Sequence, residues 1–394
     1  MTKLINLNVF KDFFQSSNAG GIILFICVII SMIIANTDFA VPLQNILDHP
    51  IGFENDSIHL RYPILLWIND GLMAIFFLLV GLEIKREIVE GELSSPKKAS
   101  LPILSAIGGA VVPAIIYLSL NAGEETASGW GIPMATDIAF ALAVINLLGN
   151  RIPSSLKIFL AALAIVDDLI AILVIAFFYS SGIETTYLLY AAIGLVVLII
   201  MNRMNVLNPY LYLIPGVFIW YFVHHSGIHA TIAGVLVAMT IPTNDTDVES
   251  PLERLEHALT KPVNFLIIPL FAFANTNITL ETEMLAGLTS SLGLGISLGL
   301  LLGKPVGILL TSYLCTKLKL SSLPEGSTWR HILGVGLLAG IGFTMSIFIA
   351  ILSFGDPLHV SEAKLSILIT SLLAGVIGYL TLISGKTSSN KSLE

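Results

Sequence analysis

Charged residues are scarce in this chain. Asp, Glu, Lys and Arg make up only 12% of its 394 residues, whereas hydrophobic residues make up 55%. A soluble domain carries about 25% charged residues, so this composition excludes an ordinary soluble globular protein. The net charge of −8 indicates no nucleic-acid partner. Cys27 and Cys315 have no metal-type or redox-type spacing, and we interpret them as packing residues.

Long apolar runs recur along the whole chain, each near the roughly 20 residues that a membrane-spanning helix needs. They predict an all-α polytopic membrane protein with about twelve transmembrane helices in one integral membrane domain, 1–394. Residues 1–17 are predicted to form a cytoplasmic N-terminal segment with an interfacial helix, and 384–394 a cytoplasmic tail. No cleavable signal peptide is predicted. The predicted spans are 19–35, 63–88, 100–120, 131–148, 157–180, 186–201, 210–225, 228–241, 262–275, 287–314, 331–352 and 363–383.

Positive charge alternates between the connections of these predicted spans. All nineteen Lys and Arg residues fall on one set of connections, except Arg61, Lys304 and Lys364. Because Lys and Arg accumulate on cytoplasmic loops, both termini are predicted to be cytoplasmic. The external segment 45–62 contains alternating apolar residues on both sides of a turn, which fits either a small hairpin or an ordered loop.

Two predicted spans contain interruptions. The fourth opens with Gly129, Gly131 and Pro133 and reaches Thr136-Asp137 near its middle, and the eleventh contains four glycines between 334 and 342. The fourth is the middle span of 3–5, and the eleventh is the middle span of 10–12. Interrupted spans at matching places predict two inverted three-helix repeats, with the binding site of a transporter between them.

Asp167 and Asp168 lie side by side within the fifth predicted span. A carboxylate at the bilayer centre costs about 2.5–3.5 kcal/mol on insertion scales, so both are expected to face a protein interior or a water-filled cavity. Oxygen ligands suit hard cations, and two close carboxyl groups titrate as a coupled unit. Such a site holds either protons or a cation, which is the competition a cation/proton exchanger needs.

Other ionisable residues in or near the spans each have a structural and a functional interpretation. Asp137 is interpreted as offsetting the N-terminal ends of two broken helices, and Lys304 the C-terminal ends. Lys304 is equally suited to pair with Asp167 or Asp168. Asp70 is either a packing residue or part of the ion path. Candidates for pH sensing, for which a helix-end structural role is the alternative, are Glu83, Arg86, Glu87, Glu253, Glu256, His257 and His229.

Seven sequence strings closely resemble the NhaA family of bacterial sodium/proton antiporters, and the likeness runs nearly end to end. They are LLWINDGLMA at 65–74, FLLVGLE at 77–83, ATDIAFAL at 135–142, AIVDDL at 164–169, PLFAFAN at 269–275, GKP at 303–305 and GIGFTMS at 340–346.

This resemblance implies electrogenic, pH-regulated exchange of Na⁺ or Li⁺ for more than one H⁺ across the bacterial inner membrane, without a cofactor. It implies that Asp168 binds the cation and that Asp167 takes part in binding or proton exchange. It also implies that Asp137, Thr136 and Lys304 support the place where the two interrupted spans cross. It also implies a homodimer through the external hairpin, surrounded by membrane lipid. One position differs from the family pattern, because Thr260 stands where family members carry a second histidine. The resemblance therefore does not give the pH at which exchange is activated.

Three other classes of membrane protein fit these residues less well. A sodium-coupled solute symporter needs a substrate cavity with polar or aromatic specificity groups, and no such cluster stands out. An intramembrane aspartyl protease needs two carboxylates from different helices, which an adjacent pair fits poorly. A membrane scaffold does not need this many buried charges, because each is costly in lipid. Therefore a transporter, and not an enzyme, is the expected class.

Overall fold

The computed structural model describes residues 19–55, 59–180, 182–243, 249–280 and 282–384, and most of them are helical. The predicted N-terminal segment and nearly all of the predicted tail lie outside these residues, as does Ile58 in the predicted hairpin. The helices are α1 Ala19–Ala35, α2 Ala40–Leu47, α3 Ile64–Val89, α4 Pro96–Asn121, α5 Ile138–Asn146, α6 Ser154–Phe178, α7 Thr185–Arg203, α8 Tyr210–His225, α9 Ile232–Thr240, α10 Pro251–Asn275, α11 Thr282–Gly287, α12 Ser291–Lys317, α13 Trp329–Ala339, α14 Phe343–Ser353 and α15 Pro357–Ile383.

Within the described residues, eight helices are long and apolar enough to cross a membrane, and up to ten if each of two bent pairs forms one span. The bent pairs are α1 with α2, at 114°, and α13 with α14, at 46°. The chain is therefore a helical, polytopic membrane protein. The seventh and eighth predicted spans correspond to the shorter helices α8 and α9, of 16 and 9 residues.

Helix α10 begins eleven residues before the predicted span at 262–275, because a polar N-terminal cap starts it. Ser250 accepts a hydrogen bond from the backbone N–H of Glu253, and the Glu253 carboxylate accepts one from the N–H of Ser250. This reciprocal cap stabilises the first turn. The following turns are amphipathic rather than apolar, so hydrophobicity alone does not reveal this part of the helix.

The segment before α3 forms a β-hairpin. This is one of the two structures, hairpin or ordered loop, that the alternating apolar residues predicted. Strands β1 (Pro50–Glu54) and β2 (His59–Pro63) pair antiparallel, with Ile51 opposite Tyr62. The indole N–H of Trp67, in the first turns of α3, donates to the carbonyl of Ile51 at 3.1 Å. This bond attaches the hairpin to the helix bundle.

The connections between helices gather at two ends of the bundle. At one end, Ser321 donates to the carbonyl of Lys97, and Ser155 donates to the carbonyl of Glu325. We call this the basic end, because Lys85, Arg86, Lys97 and Lys98 lie there. At the hairpin end, the β-hairpin meets the end of α8, where Tyr62 and His225 lie 3.4 Å apart.

Helices α4 and α12 cross antiparallel at very short range. A Cβ atom placed on Gly307 would lie 2.1 Å from the carbonyl oxygen of Gly108, so only glycine fits there. Nearby, the hydroxyl groups of Ser105 and Ser312 are 2.8 Å apart. Small residues thus allow backbone-to-backbone packing, which drives helix association in lipid, and this packing positions Lys304 at the start of the second half of α12.

Both interruptions predicted from the sequence are present. A 3₁₀-helix, Glu125–Met134, is separated from α5 by the extended residues 135–137. Residues 340–342 separate α13 from α14. A Cβ on Gly340 would lie 2.5 Å from the carbonyl oxygen of Leu300, so the break approaches α12 too closely for a side chain. The two interrupted segments meet in the interior of the bundle.

Candidate functional site

Asp137 binds both helix N-termini at the meeting point of the two broken segments. It caps α5, since its Oδ1 accepts from the backbone N–H of Phe140 at 2.9 Å. Its Oδ2 accepts from the N–H of Thr344, at 3.1 Å, and from the Thr344 hydroxyl, at 2.5 Å. Thr344 lies in the first turn of α14. One carboxylate therefore accepts hydrogen bonds at the positive ends of two half-helices.

The opposite helix ends are satisfied by a threonine and a lysine. The Thr136 hydroxyl donates to the carbonyl of Ala339, the last residue of α13, at 2.8 Å. Lys304 Nζ donates to the carbonyl of Met134, the last residue of the 3₁₀-helix. The backbone N–H of Asp137 donates to the carbonyl of Ile341 at 2.7 Å. At the crossing, the helix N-termini thus face a carboxylate, and the helix C-termini face hydrogen-bond donors.

Lys304 also forms a buried ion pair with Asp167. Its Nζ lies 2.7 Å from Asp167 Oδ2, and the two side chains are 0% and 1% exposed. The two roles that the sequence left open for Lys304 are therefore filled together, with Asp167 rather than Asp168 as the ionic partner. A buried pair of this kind is costly to break, because a single buried charge would remain.

Asp168 has a different environment from its neighbour. It is 2% exposed and forms no ion pair with the described residues. Its Oδ1, like Oδ1 of Asp167, makes no hydrogen bond within the described part of the chain. Burying a carboxylate oxygen without a partner is unfavourable. These two oxygens are consequently available to a cation or a proton.

A cavity of about 540 Å³ leads to Asp168. Asp137, Thr344 and Asp168 line its inner part, and Glu83 and Lys261 line it nearer the basic end. A water molecule occupies about 30 Å³ in the liquid, so the cavity has room for an ion that keeps part of its hydration shell. Its oxygen-rich inner lining suits a hard cation such as an alkali ion.

The described residues contain no group of three or more His, Cys, Asp or Glu side chains that could hold a resident metal ion. The buried carboxylates have separate partners: Asp168 forms no ion pair within the described ranges, Asp167 is bound to Lys304, and Asp137 is bound to helix ends.

The residues predicted to sense pH are only partly brought together. Glu83 lines the cavity, rather than lying on a solvated helix end. Arg86 forms an ion pair with Glu256 and lies 3.5 Å from Glu87, so α3 and α10 are joined at the basic end. Glu256 is 5% exposed, and its Oε2 has no hydrogen-bond partner among the described residues.

Three other predicted residues lie apart from this cluster. Glu253 completes the cap of α10, and His257 pairs with Glu249 at 2.9 Å on the surface. His229 packs against Phe348, with ring centroids 5.6 Å apart, away from the Arg86 ion pairs.

Asp70 does not line the main cavity. Its Oδ2 lies 3.3 Å from Nδ1 of His224 at the end of α8. The His224 ring stacks on Trp220, which stacks on Trp67. His224 was not predicted from the sequence, and a histidine at the end of an apolar span was the available signal. Thr344 was not predicted as the partner of Asp137, although it lies two residues after Gly342 in the glycine-rich break.

The crossed broken helices, the buried lysine and the cavity that reaches Asp168, whose Oδ1 has no partner among the described residues, define an ion transporter built on an all-helical membrane fold. Comparison with known proteins gives the family. The sequence model described as Na⁺/H⁺ antiporter 1 matches residues 11–382, and the chain belongs to this family of sodium/proton antiporters.

Three relatives illustrate the similarity. The chain is 62% identical to Na⁺/H⁺ antiporter NhaA 2 of Flavobacterium johnsoniae, over 98% of this chain and 94% of that protein. It is 51% identical to Na⁺/H⁺ antiporter NhaA of Flavobacterium psychrophilum, over 95% of each. It is 50% identical to the Escherichia coli protein of the same name, over 93% of this chain and 96% of that one.

Proposed function

We propose that this protein is a secondary active transporter of the bacterial inner membrane. It expels Na⁺ or Li⁺ from the cytoplasm in exchange for more than one H⁺, and the proton gradient drives it. The observation that supports this most directly is Asp168, buried at the inner part of the cavity with a free carboxylate oxygen, beside the Asp167–Lys304 ion pair. No cofactor takes part beyond the transported ions.

Competition at the carboxylate pair is the core of the proposed mechanism. A cation that enters the cavity binds Asp168 and is also coordinated by the free oxygen of Asp167. Its charge weakens the attraction between Asp167 and Lys304, which stand 2.7 Å apart. Protons leave from Asp168 and from the Lys304–Asp167 pair. Two protons returned for one cation give a net charge movement, so the exchange is electrogenic.

Alternating access is proposed to use twelve spans arranged as two inverted three-helix repeats. The repeats comprise spans 3–5, which include α4 and α6, and spans 10–12, which include α12 and α15. Two features support this: the broken segments cross through Asp137 and Ile341, and α4 packs antiparallel on α12. The basic end is placed in the cytoplasm together with both termini, because Lys and Arg favour cytoplasmic loops.

Regulation by pH is assigned to the basic end of α3 and α10. Glu83, Arg86, Glu87 and Glu256 gather there, with His257 on the same helix as Glu256. Protonation within this cluster changes the attraction between the two helix ends and can shift the equilibrium between a closed and an open cavity.

Assembly is proposed as a homodimer within membrane lipid, through the external hairpin. Its strands expose Ile51 and Phe53. Each of the two strands also has an outer edge. A strand of a second copy can pair with that edge across a two-fold axis.

Exchange by the purified protein in sealed proteoliposomes tests the proposal. Addition of Na⁺ should move protons in the opposite direction, and a membrane potential should change the rate. Asp168→Asn should abolish this movement while the protein remains folded. Proton movement that is independent of Na⁺, or normal exchange by Asp168→Asn, would contradict the proposal.

A further inference from the structure

Lys261 is a cationic side chain on the wall of the cation cavity. It lies within α10, directly after Thr260, and lines the same cavity as Asp168 and Glu83. Its side chain is exposed. Among the described residues no carboxylate forms an ion pair with it. Its positive charge is therefore not held in a direct ion pair within the described part of the chain.

The other charged groups around the cavity differ from Lys261 in this respect. Glu83, Asp137 and Asp168 are acidic and attract cations. Arg86, the nearby cation on α3, is bound by Glu256 and lies close to Glu87. Consequently, of the described cationic side chains that line the cavity, Lys261 is the one whose field acts directly on an ion at the entrance.

We propose that Lys261 sets the apparent affinity of the protein for its transported cation by opposing cation entry at the basic end. This inference rests on the proposed function. Two unit charges about 10 Å apart in water repel enough to change a local ion concentration about twofold, and the lower dielectric constant of a protein wall strengthens the effect. Clefts focus such fields and thereby change association rates.

The effect has a specific kinetic signature. Lys261 acts on entry and does not touch Asp167, Asp168 or Lys304, so it should change KM and leave kcat unaltered. Na⁺ and Li⁺ carry the same charge, so their KM values should change by the same factor. Dissolved salt should reduce the effect, because the Debye length falls from about 10 Å at 0.1 M to about 3 Å at 1 M ionic strength.

Four variants in proteoliposomes test this proposal. Lys261→Gln removes the charge, Lys261→Glu reverses it, and Lys261→Arg retains it. Lys97→Gln is the matched control, because Lys97 is also exposed at the basic end but does not line the cavity. KM and kcat for Na⁺ and for Li⁺ are measured at low ionic strength and again with choline chloride added to about 1 M.

At low ionic strength, Lys261→Gln should lower both KM values about two- to fourfold, and Lys261→Glu should lower them further. Lys261→Arg and Lys97→Gln should match the wild type, and all differences should shrink with choline chloride. Unchanged KM in the Gln and Glu variants, or a change that high salt does not reduce, would overturn the proposal for Lys261 alone. Wild-type protein without Na⁺-dependent proton movement would overturn it together with the proposed function.

Discussion

The hydroxyl of Thr344 lies 2.5 Å from Oδ2 of Asp137, and this bond joins the two broken segments where they cross. Asp137 precedes α5 and Thr344 lies in the first turn of α14, so the bond links two half-helices that are 207 positions apart in the chain. Since both residues also line the cavity, the same contact shapes the wall of that cavity.

Replacing Thr344 with valine should weaken both the crossing and the transport. The volume is retained, but Asp137 loses a hydroxyl donor in a buried place, which costs about 1–3 kcal/mol. We expect a lower midpoint of thermal unfolding in detergent and an exchange rate reduced about tenfold. Thr344→Ser keeps the hydroxyl and serves as the control. A valine variant with wild-type stability and rate would mean that the backbone N–H of Thr344 is sufficient.

Removing either partner of the Lys304–Asp167 pair should destabilise the protein more than removing both. Asp167→Asn leaves a buried ammonium without its counter-ion, at a cost of about 3–5 kcal/mol. The double variant Asp167→Asn with Lys304→Gln should recover much of that loss without recovering electrogenic exchange. Thermal unfolding of the two single variants and the double variant measures the coupling. Additive losses in the double variant would show that the pair contributes little to stability.

Deleting residues 45–58 should give monomers that still exchange Na⁺ for H⁺. The deletion removes β1, while the residues of the candidate site all lie in other segments of the same chain. Cross-linking in the membrane and exchange in proteoliposomes report the two properties separately. Dimers that persist after the deletion would place the interface elsewhere.

Competition and a separate sensor predict different pH profiles. If protons only compete at Asp167 and Asp168, raising Na⁺ moves the activation midpoint to lower pH until the site is saturated. A sensor at the basic end leaves a residual pH dependence at saturating Na⁺. Replacing Glu256 and His257 together with Gln should shift that residual profile, because it removes the partner of Arg86. If the double variant has the same pH profile as the wild type, there is no separate sensor, and competition alone explains the pH dependence.

The sequence predicted the features of the site that depend on one segment at a time. The Asp167-Asp168 pair is recognisable because carboxylates are costly in an apolar span, and the two breaks are recognisable from Gly and Pro. The helix-offsetting roles of Asp137 and Lys304 followed from the breaks. Each of these inferences needed only local residue types and their position within a span.

Pairings between distant segments could not be predicted in the same way. Lys304 is 137 positions from Asp167, and both aspartates were chemically suitable partners, so only the packing of α12 and α6 against α4 selects one. The Asp70–His224 contact similarly depends on how α8 lies against the start of α3. The beginning of α10 was missed for a different reason, since its first turns are too polar to read as a span.

The contact between Gly108 and Gly307 restricts how the protein can move. With no side chains between them, the two backbones lie close together, so α4 and α12 cannot approach further without a clash. Lys304 lies three residues before Gly307, so this close packing helps to position it within the bundle. In the proposed mechanism, the rearrangement that turns Asp168 from one side of the membrane to the other occurs around this pair of helices. A covalent link between α4 and α12 at that crossing should consequently leave the transport cycle intact.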